Sequence, residues 1–338
     1  MTERVTRRRF VGGTAAAAVT SLGPQAAKAS AAPPTRPARV AVDVAIVGAG
    51  LAGLAAGRRL EHAGRSVAVI EARERVGGRI WNHELGGGHV SERGATFVGP
   101  TQDRVAALLR ELRIDTFPVY DRGDDVYLAD GERLRYSDRG PFGTAPPDPA
   151  IAGELASLVL ALDSASRSVP VHAPWTARSA TALDGQTLQT YMDERSASPR
   201  LQRLAAAALR AVFGAEAREL SMLFTLFYIA ASGDARHPGT FQRNFDTRGG
   251  AQANRVVGGS QALPDALAAR LAGRVTLGSP VRSITQNRAG LRVVSDRVTV
   301  DARRVVVAIP PTLAGRIDYD PILPFQRDQL TQRFGQGT

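Results

Sequence analysis

The most constraining feature of the sequence is an apolar run, Val42 to Val47, that leads directly into Gly48-Ala49-Gly50-Leu51-Ala52-Gly53. Such a run is typical of a strand that is buried on both faces of a sheet. A helix-like stretch follows, and Ser66 to Ile70 predicts a second strand that ends at Glu71. The order strand, glycine turn, helix, strand and acid predicts a dinucleotide-binding fold.

Each glycine of this pattern, and the acid that follows, has a physical role. Gly48 permits a tight turn, Gly50 removes a side chain where the backbone must approach a pyrophosphate, and Gly53 lets the helix pack closely on the strand. The helix N-terminus offers N–H groups and the positive end of a dipole to phosphates. Glu71 follows Gly53 by 18 residues and is predicted to accept hydrogen bonds from ribose hydroxyls.

The segment from Arg73 to Arg79 reads Arg-Glu-Arg-Val-Gly-Gly-Arg. Two glycines between arginines allow the backbone to approach a charged, flat ligand, and guanidinium groups can bridge phosphate oxygens. By itself this segment is equally compatible with a surface turn. The glycine pattern likewise does not distinguish NAD from FAD.

Several ordered motifs resemble the flavin monoamine oxidase family, within the broader FAD-dependent amine oxidoreductase superfamily. They are Glu71 to Arg79, Gly94 to Gln102, Gly249 to Gln252, Val257 to Gln261 and Val305 to Leu313, with weaker support from Pro174-Trp175, Leu183-Asp184 and Thr187. The resemblance covers roughly residues 42–338 and implies non-covalently bound FAD. The sequence contains no cysteine, so attachment of flavin through cysteine is excluded for these residues.

The resemblance implies a set of cofactor contacts and two substrate contacts. The cofactor contacts are Gly48, Gly50, Leu51, Ala52, Gly53, Glu71, Ala72, Arg73, Gly78, Arg79, Gly94, Ala95, Thr96, Phe97 and Val281. Among them, the segment from Gly94 to Phe97 is expected beside the isoalloxazine and Val281 beside the adenine. Phe245 and Gln252 are expected to line the substrate cavity, although Phe245 is also compatible with ordinary core and Gln252 with a turn cap.

Two positions depart from the family pattern. Ala95 replaces a frequent second glycine, which slightly crowds the approach of the backbone to the flavin. Phe97 stands where relatives often have tyrosine, which removes a hydroxyl and keeps the ring. The five histidines lack metal-ligand spacing, so no metal site is predicted.

The predicted fold class is α/β, with a discontinuous Rossmann-like FAD-binding domain and a second α+β substrate domain whose C-terminal part is missing. The predicted segments are an export signal (1–29), a linker (30–41), the first part of the FAD domain (42–105), a mostly helical substrate domain (106–248), the second part of the FAD domain (249–311) and the start of a further substrate-domain segment (312–338). Within the later part we expect a helix from Ser260 to Leu271, a strand from Arg274 to Leu277, a hairpin from Leu291 to Val300, and a separate strand from Val305 to Ile309.

The N-terminus is predicted to be an export signal rather than part of the fold. Arg7-Arg8-Arg9-Phe10 precedes a short Ala- and Gly-rich run and a small-residue exit around Ala27-Lys28-Ala29, which resembles a twin-arginine export signal. The run is too short to span a bilayer. The net charge of +11 is concentrated partly in this segment and forms no basic stripe with aromatics, so nucleic-acid binding is not expected.

The implied reaction is oxidative deamination of a primary amine to an aldehyde, ammonia and hydrogen peroxide, with dioxygen as acceptor. Relatives use a lysine near the flavin, and the only lysine here is Lys28. That lysine and the closing aromatics are therefore expected beyond Thr338, and no catalytic residue is assigned. Two alternatives stay open: an L-amino-acid oxidase that uses Arg243 or Arg248 for a carboxylate, and a truncated FAD-binding protein without activity.

Overall fold

The computed structural model describes residues 38–140, 143–195, 197–234 and 236–335. The predicted export signal lies outside these residues. The strands are β1 (Ala38–Val47), β2 (Val67–Ile70), β3 (Trp81–Gly86), β4 (His89–Gly94), β5 (Phe97–Val98), β6 (Thr116–Pro118), β7 (Asp125–Ala129), β8 (Glu132–Tyr136), β9 (Asn254–Val256), β10 (Val275–Thr276), β11 (Val281–Asn287), β12 (Gly290–Ser295), β13 (Val298–Val307) and β14 (Asp318–Asp320).

The helices alternate with these strands early in the chain and dominate its middle. They are α1 (Leu51–His62), α2 (Asp103–Leu112), α3 (Ala152–Ser166), α4 (Ala180–Asp184), α5 (Leu188–Asp193), α6 (Pro199–Phe213), α7 (Met222–Ala231), α8 (Ala262–Arg270), α9 (Pro311–Ala314) and α10 (Phe325–Arg333). Among the described residues, no helix is both long enough and apolar enough to cross a bilayer.

A central sheet has the strand order β10-β2-β1-β13-β12-β11-β14. The first four of these strands run parallel to one another, and β13, β12 and β11 form an antiparallel meander. The carboxyl ends of β1, β2 and β13 therefore meet at one edge of the sheet. In open α/β sheets this edge is where ligands bind.

The apolar run in β1 is explained by burial on both faces. Val44 and Ile46 pack on one side with Leu54 of α1 and Leu267 of α8. Ala45 and Val47 point to the other side, into a core that the meander completes. Because side chains alternate along a strand, both sets must be apolar.

The middle of the chain forms its own helical core. Buried residues from α3, α5, α6 and α7, including Leu162, Met192, Leu209 and Leu226, form one cluster. Phe224 of α7 is 42% exposed and lies on the side of this cluster that faces solvent. The described part of the 106–248 segment is thus mainly helical, with the β7–β8 hairpin added to it.

Two predicted strand boundaries were wrong. The first strand begins at Ala38, because residues 38–42 continue the parallel pairing with β13. The expected hairpin strand and the expected strand at Val305 are a single strand, β13. The polar centre of β13 stays within the sheet, because Asp301 is paired across it with Arg39 on one side (2.6 Å) and Arg292 on the other (2.9 Å).

Candidate cofactor-binding site

The three glycines after β1 meet three different constraints. Gly48 has φ +103°, and a Cβ atom there would lie 2.6 Å from Cγ2 of Ile309. A Cβ atom on Gly53 would lie 2.0 Å from the carbonyl oxygen of Gly48, so α1 packs directly on the turn. A Cβ atom on Gly50 would meet nothing within 4 Å. Gly50 therefore faces open space, in which a ligand can approach the protein backbone.

Glu71 lies against this loop. Its Oε2 accepts a hydrogen bond from the N–H of Ala49 (2.7 Å), and its Oε1 accepts one from the N–H of Arg73 (3.0 Å). The acid is 7% exposed. The contact follows from the sheet, since β2 pairs with β1 up to Val47 and Ile70, and the next residues of both strands emerge side by side.

The N-terminus of α1 is suited to an anion. No side chain caps it, and its first turn contains no acidic residue. The N–H groups of the first turn thus have no side-chain cap, while the carboxylate of Glu71 binds the loop just before them, at Ala49. Together with the space in front of Gly50, this arrangement fits the diphosphate of a dinucleotide.

A diglycine turn, Gly77–Gly78, forms the wall opposite Gly50. Both glycines have left-handed φ values, +99° and +60°. The N–H of Gly77 donates to the carbonyl of Ala49 (2.8 Å), and a Cβ atom on Gly78 would lie 3.3 Å from Cα of Gly50. Burial and the nearby charge of Arg73 lower the pKa of Arg75, whose guanidinium lies beneath the turn.

A cleft of about 1400 Å³ opens over these elements. Most of the predicted cofactor contacts line it together, as the following residues show: Gly48, Gly50, Leu51, Ala52, Glu71, Ala72, Arg73, Gly78, Arg79 and Val281. Gly53 lies just beneath it, packed on Gly48. The guanidinium of Arg79 is exposed and makes no hydrogen bond or ion pair within the described residues.

Gly94 and Ala95 lie in a second cleft of about 890 Å³, which shares Arg73, Gly78 and Arg79 with the first. A Cβ atom on Gly94 would lie 2.2 Å from the carbonyl oxygen of Arg79, so the two motifs touch through their backbones. Ala95 has φ +62°, in the left-handed region that favours glycine. The departure from the family pattern at Ala95 therefore carries backbone strain.

Four other predicted contacts lie outside both clefts. Thr96 and Phe97 come next along the chain, and Phe97 in β5 pairs with Arg255 of β9 and is 42% exposed. The ring of Phe245 packs on Phe241, with centroids 5.2 Å apart. Gln252 lies two residues before β9, and its N–H donates to the carbonyl of Asp246 (3.1 Å). Their roles toward flavin and substrate stay predictions.

An ion pair between Glu92 and Arg255 joins the β3–β4 hairpin to the β5–β9–β6 sheet. The side chain of Glu92 is 2% exposed, and that of Arg255 is 33% exposed. Oε1 of Glu92 and Nε of Arg255 are both buried without a hydrogen-bond partner among the described residues. The pair thus links β4, which precedes Phe97 in the chain, to β9, which pairs with Phe97. No local pattern in the sequence predicts it.

Sequence reasoning also missed part of the cleft wall. Pro280, Arg282, Ala308, Ile309, Pro310 and Arg316 line the cleft beside the predicted residues. Residues 308–310 follow β13 at the same edge as the phosphate loop, so the topology of the parallel sheet was the signal that could have found them. No group of three or more His, Asp or Glu side chains with metal-binding geometry occurs in the described residues.

Comparisons with known proteins place this geometry in context. The family model described as flavin containing amine oxidoreductase matches residues 51–337. The putative flavin-containing monoamine oxidase AofH of Mycobacterium tuberculosis (strain H37Rv) is 39% identical over 298 residues, which are 88% of this chain and 63% of that protein. An L-amino acid dehydrogenase of Synechocystis sp. is 34% identical over 309 residues, covering 88% of this chain and 62% of that protein.

Among solved structures, a putrescine oxidase with bound putrescine superimposes with a TM-score of 0.78 at 35% identity, over 87% of this chain and 64% of that one. The predicted Rossmann-like α/β fold is confirmed by this likeness. The chain spans a little under two thirds of the length of these relatives.

Proposed function

The chain belongs to the family of flavin-containing amine oxidoreductases, and on that premise we propose that it holds FAD non-covalently in the cleft above Gly50 and serves the oxidative deamination of a primary amine. The products are an aldehyde, ammonia and hydrogen peroxide, with dioxygen as the electron acceptor. The observation that carries this proposal is the open space at Gly50, between the N-terminus of α1 and the diglycine turn.

The residues of the chain supply binding and orientation. Backbone N–H groups at the start of α1 receive the diphosphate, and Glu71 places a carboxylate at the end of β2, where a ribose hydroxyl can donate to it. The exposed guanidinium of Arg79 is available to a phosphate oxygen. When bound, FAD accepts a hydride equivalent from the carbon that carries the amine.

An amine is favoured over an amino acid because Arg248, one of the two arginines considered for a carboxylate, is engaged by two acids. Arg248 forms ion pairs with Asp121 and Asp138, the latter at 2.8 Å. Nε of Arg243 donates to the carbonyl of Ser232 (3.1 Å). Arg248 can bind a substrate carboxylate only by breaking its ion pairs, whereas Arg243 can do so through its two terminal nitrogens, so the substrates tested must include L-amino acids.

The test is to express the full-length gene product, record its flavin spectrum, and measure hydrogen peroxide with tyramine, phenethylamine, putrescine and several L-amino acids. Peroxide with amines supports the proposal. Peroxide with amino acids alone replaces it with an amino-acid oxidase, and a colourless protein that FAD does not reconstitute refutes both enzymes.

We also propose export through the twin-arginine pathway, on the basis of Arg7-Arg8-Arg9-Phe10 and the run that follows. The measurement is cell fractionation of the full-length protein beside an Arg7→Lys/Arg8→Lys/Arg9→Lys variant. We expect the wild type outside the cytoplasm and the variant retained within it. Equal distribution of the two proteins contradicts the proposal.

A further inference from the structure

Among the side chains that contact the diglycine turn, that of Arg75 makes the most hydrogen bonds to it. The guanidinium of Arg75 donates to the carbonyls of Gly78 (2.8 Å), Val76 (3.1 Å) and Ile80 (3.1 Å). The planar guanidinium of Arg75 thus binds three carbonyls that span the turn formed by the two left-handed residues, Gly77 and Gly78. Only arginine offers enough donors in a fixed geometry for this arrangement.

Arg75 is itself held in place. It is partly buried, and its Cζ lies 4.8 Å from the ring centroid of Trp81. Arg93 also lies over this ring, at 4.4 Å. A guanidinium that stacks on an aromatic ring loses little further freedom when its N–H groups bind.

The turn that Arg75 holds determines the width of the diphosphate site. Gly77 is hydrogen-bonded to Ala49 of the phosphate loop, and a Cβ atom on Gly78 would lie 3.3 Å from Cα of Gly50. The carbonyl of Gly78 also accepts from Nη1 of Arg73 (3.2 Å). Two guanidinium groups therefore donate to the carbonyl oxygen of Gly78. This reduces the repulsion between that oxygen and the diphosphate expected beside it.

From these contacts we infer that Arg75 is a positioning residue for the cofactor diphosphate, which it serves by holding the Gly77–Gly78 turn at its distance from Gly50. This inference rests on the proposed binding of FAD in the same cleft. It assigns to Arg75 a role that differs from that of Arg79, whose guanidinium makes no hydrogen bond or ion pair within the part of the chain that the structure describes.

The test is FAD affinity in the deflavinated full-length gene product, measured by flavin fluorescence for the wild type, Arg75→Lys and Arg75→Gln. ADP and adenosine are titrated as competitors, since ADP carries the diphosphate and adenosine does not. We expect Arg75→Gln to raise the Kd of FAD and of ADP by about tenfold to 100-fold, the range for lost hydrogen bonds to a charged group. Arg75→Lys keeps the positive charge but loses the planar guanidinium, and its Kd values are expected to lie between those of the wild type and Arg75→Gln.

The affinity of adenosine is expected to stay within about twofold, because a displaced turn weakens only the diphosphate contacts. Arg195→Gln is the matched control: Arg195 also stacks on a ring, that of Tyr191 at 3.5 Å, and donates to a backbone carbonyl, but outside the clefts. Its FAD Kd is expected to equal that of the wild type.

The outcomes separate the two proposals. Wild-type protein that binds neither FAD nor ADP refutes the proposed function and with it this inference. Wild-type binding that persists unchanged in Arg75→Gln refutes the role of Arg75 alone. An equal loss for adenosine, FAD and ADP also refutes it, since that result indicates general damage to the fold. If Arg75→Gln does not fold, Arg75→Lys decides: a wild-type Kd for FAD refutes the role, and a raised Kd with unchanged adenosine binding supports it.

Discussion

The two regions that flank the clefts are built by different means. The phosphate loop, Glu71 and the diglycine turn lie within residues 48–78 and are joined by short-range hydrogen bonds, in which backbone N–H groups donate to Glu71 and to the carbonyl of Ala49 and Arg75 donates to the carbonyls of the turn. The segments with Phe97 and Arg255 come from distant parts of the chain; β5 and β9 pair through their backbones, and the buried Glu92–Arg255 ion pair ties the β3–β4 hairpin to β9. The first region should therefore be sensitive to added atoms, and the second to removed charges.

The largest effect is expected from breaking the ion pair. Arg255→Met leaves the buried carboxylate of Glu92 without a partner, which should lower the free energy of unfolding by about 3 kcal/mol. Urea denaturation measures this loss. The double variant Glu92→Gln/Arg255→Met removes both charges and should recover much of it.

Arg39→Met is the matched control, because Arg39 pairs with Asp301 but is 64% exposed. It should cost no more than about 0.5 kcal/mol. If Arg255→Met is no worse than this control, the second region does not depend on its ion pair.

The phosphate loop should respond to a single methyl group. Gly53→Ala places Cβ 2.0 Å from the carbonyl oxygen of Gly48, and the forced shift should cost about 2 kcal/mol of unfolding free energy. Gly50→Ala should cost the apoprotein less than about 1 kcal/mol, because alanine is a poorer N-cap residue than glycine but its Cβ meets no protein atom within 4 Å. It should nevertheless weaken FAD binding. Equal unfolding midpoints for Gly53→Ala and Gly50→Ala would contradict this account of the loop.

A smaller effect, in the opposite direction, is expected at Ala95. Its φ of +62° is strained for a residue with a Cβ atom, so Ala95→Gly should stabilise the protein by about 0.5 kcal/mol after the added freedom of the unfolded chain is subtracted. Ala129→Gly, within β7, should destabilise it by a similar amount. Thermal unfolding of the two variants should shift in opposite directions, and a common direction argues against strain at Ala95.

The smallest effect concerns acid pH and the turn that follows α7, outside both regions. The N–H groups of Arg236 and then His237 donate to Asp234 and lower its pKa from 3.8 to about 2. Because the folded pKa is depressed, this stabilisation is present above about pH 4 and disappears as the pH falls toward 2. The difference in urea midpoint between wild type and Asp234→Asn should shrink over that interval. A difference that stays constant from pH 5 to pH 2 refutes the contribution of Asp234.

Part of the architecture can be predicted from the sequence alone. The Gly48–Gly53 spacing, the apolar run before it and Glu71 at the end of the next strand depend on residues close in the chain. Their conformations follow from local rules of turns, strands and helix starts. Pairings between distant segments could not be predicted in this way. In β13, for example, Asp301 lies at the polar centre of the strand and forms ion pairs with arginines of two other strands.

The sequence by itself determined that a strand, a glycine turn and a helix would form a phosphate-binding edge, because each step is specified by backbone conformation and burial over a few residues. Only the tertiary structure decided which arginines stay available. Arg75 is bound to carbonyls, Arg248 and Arg255 are paired with acids, and Arg79 is exposed toward the cleft. Identical side chains acquire different functions because their partners come from segments that are far apart in the chain and meet only on folding.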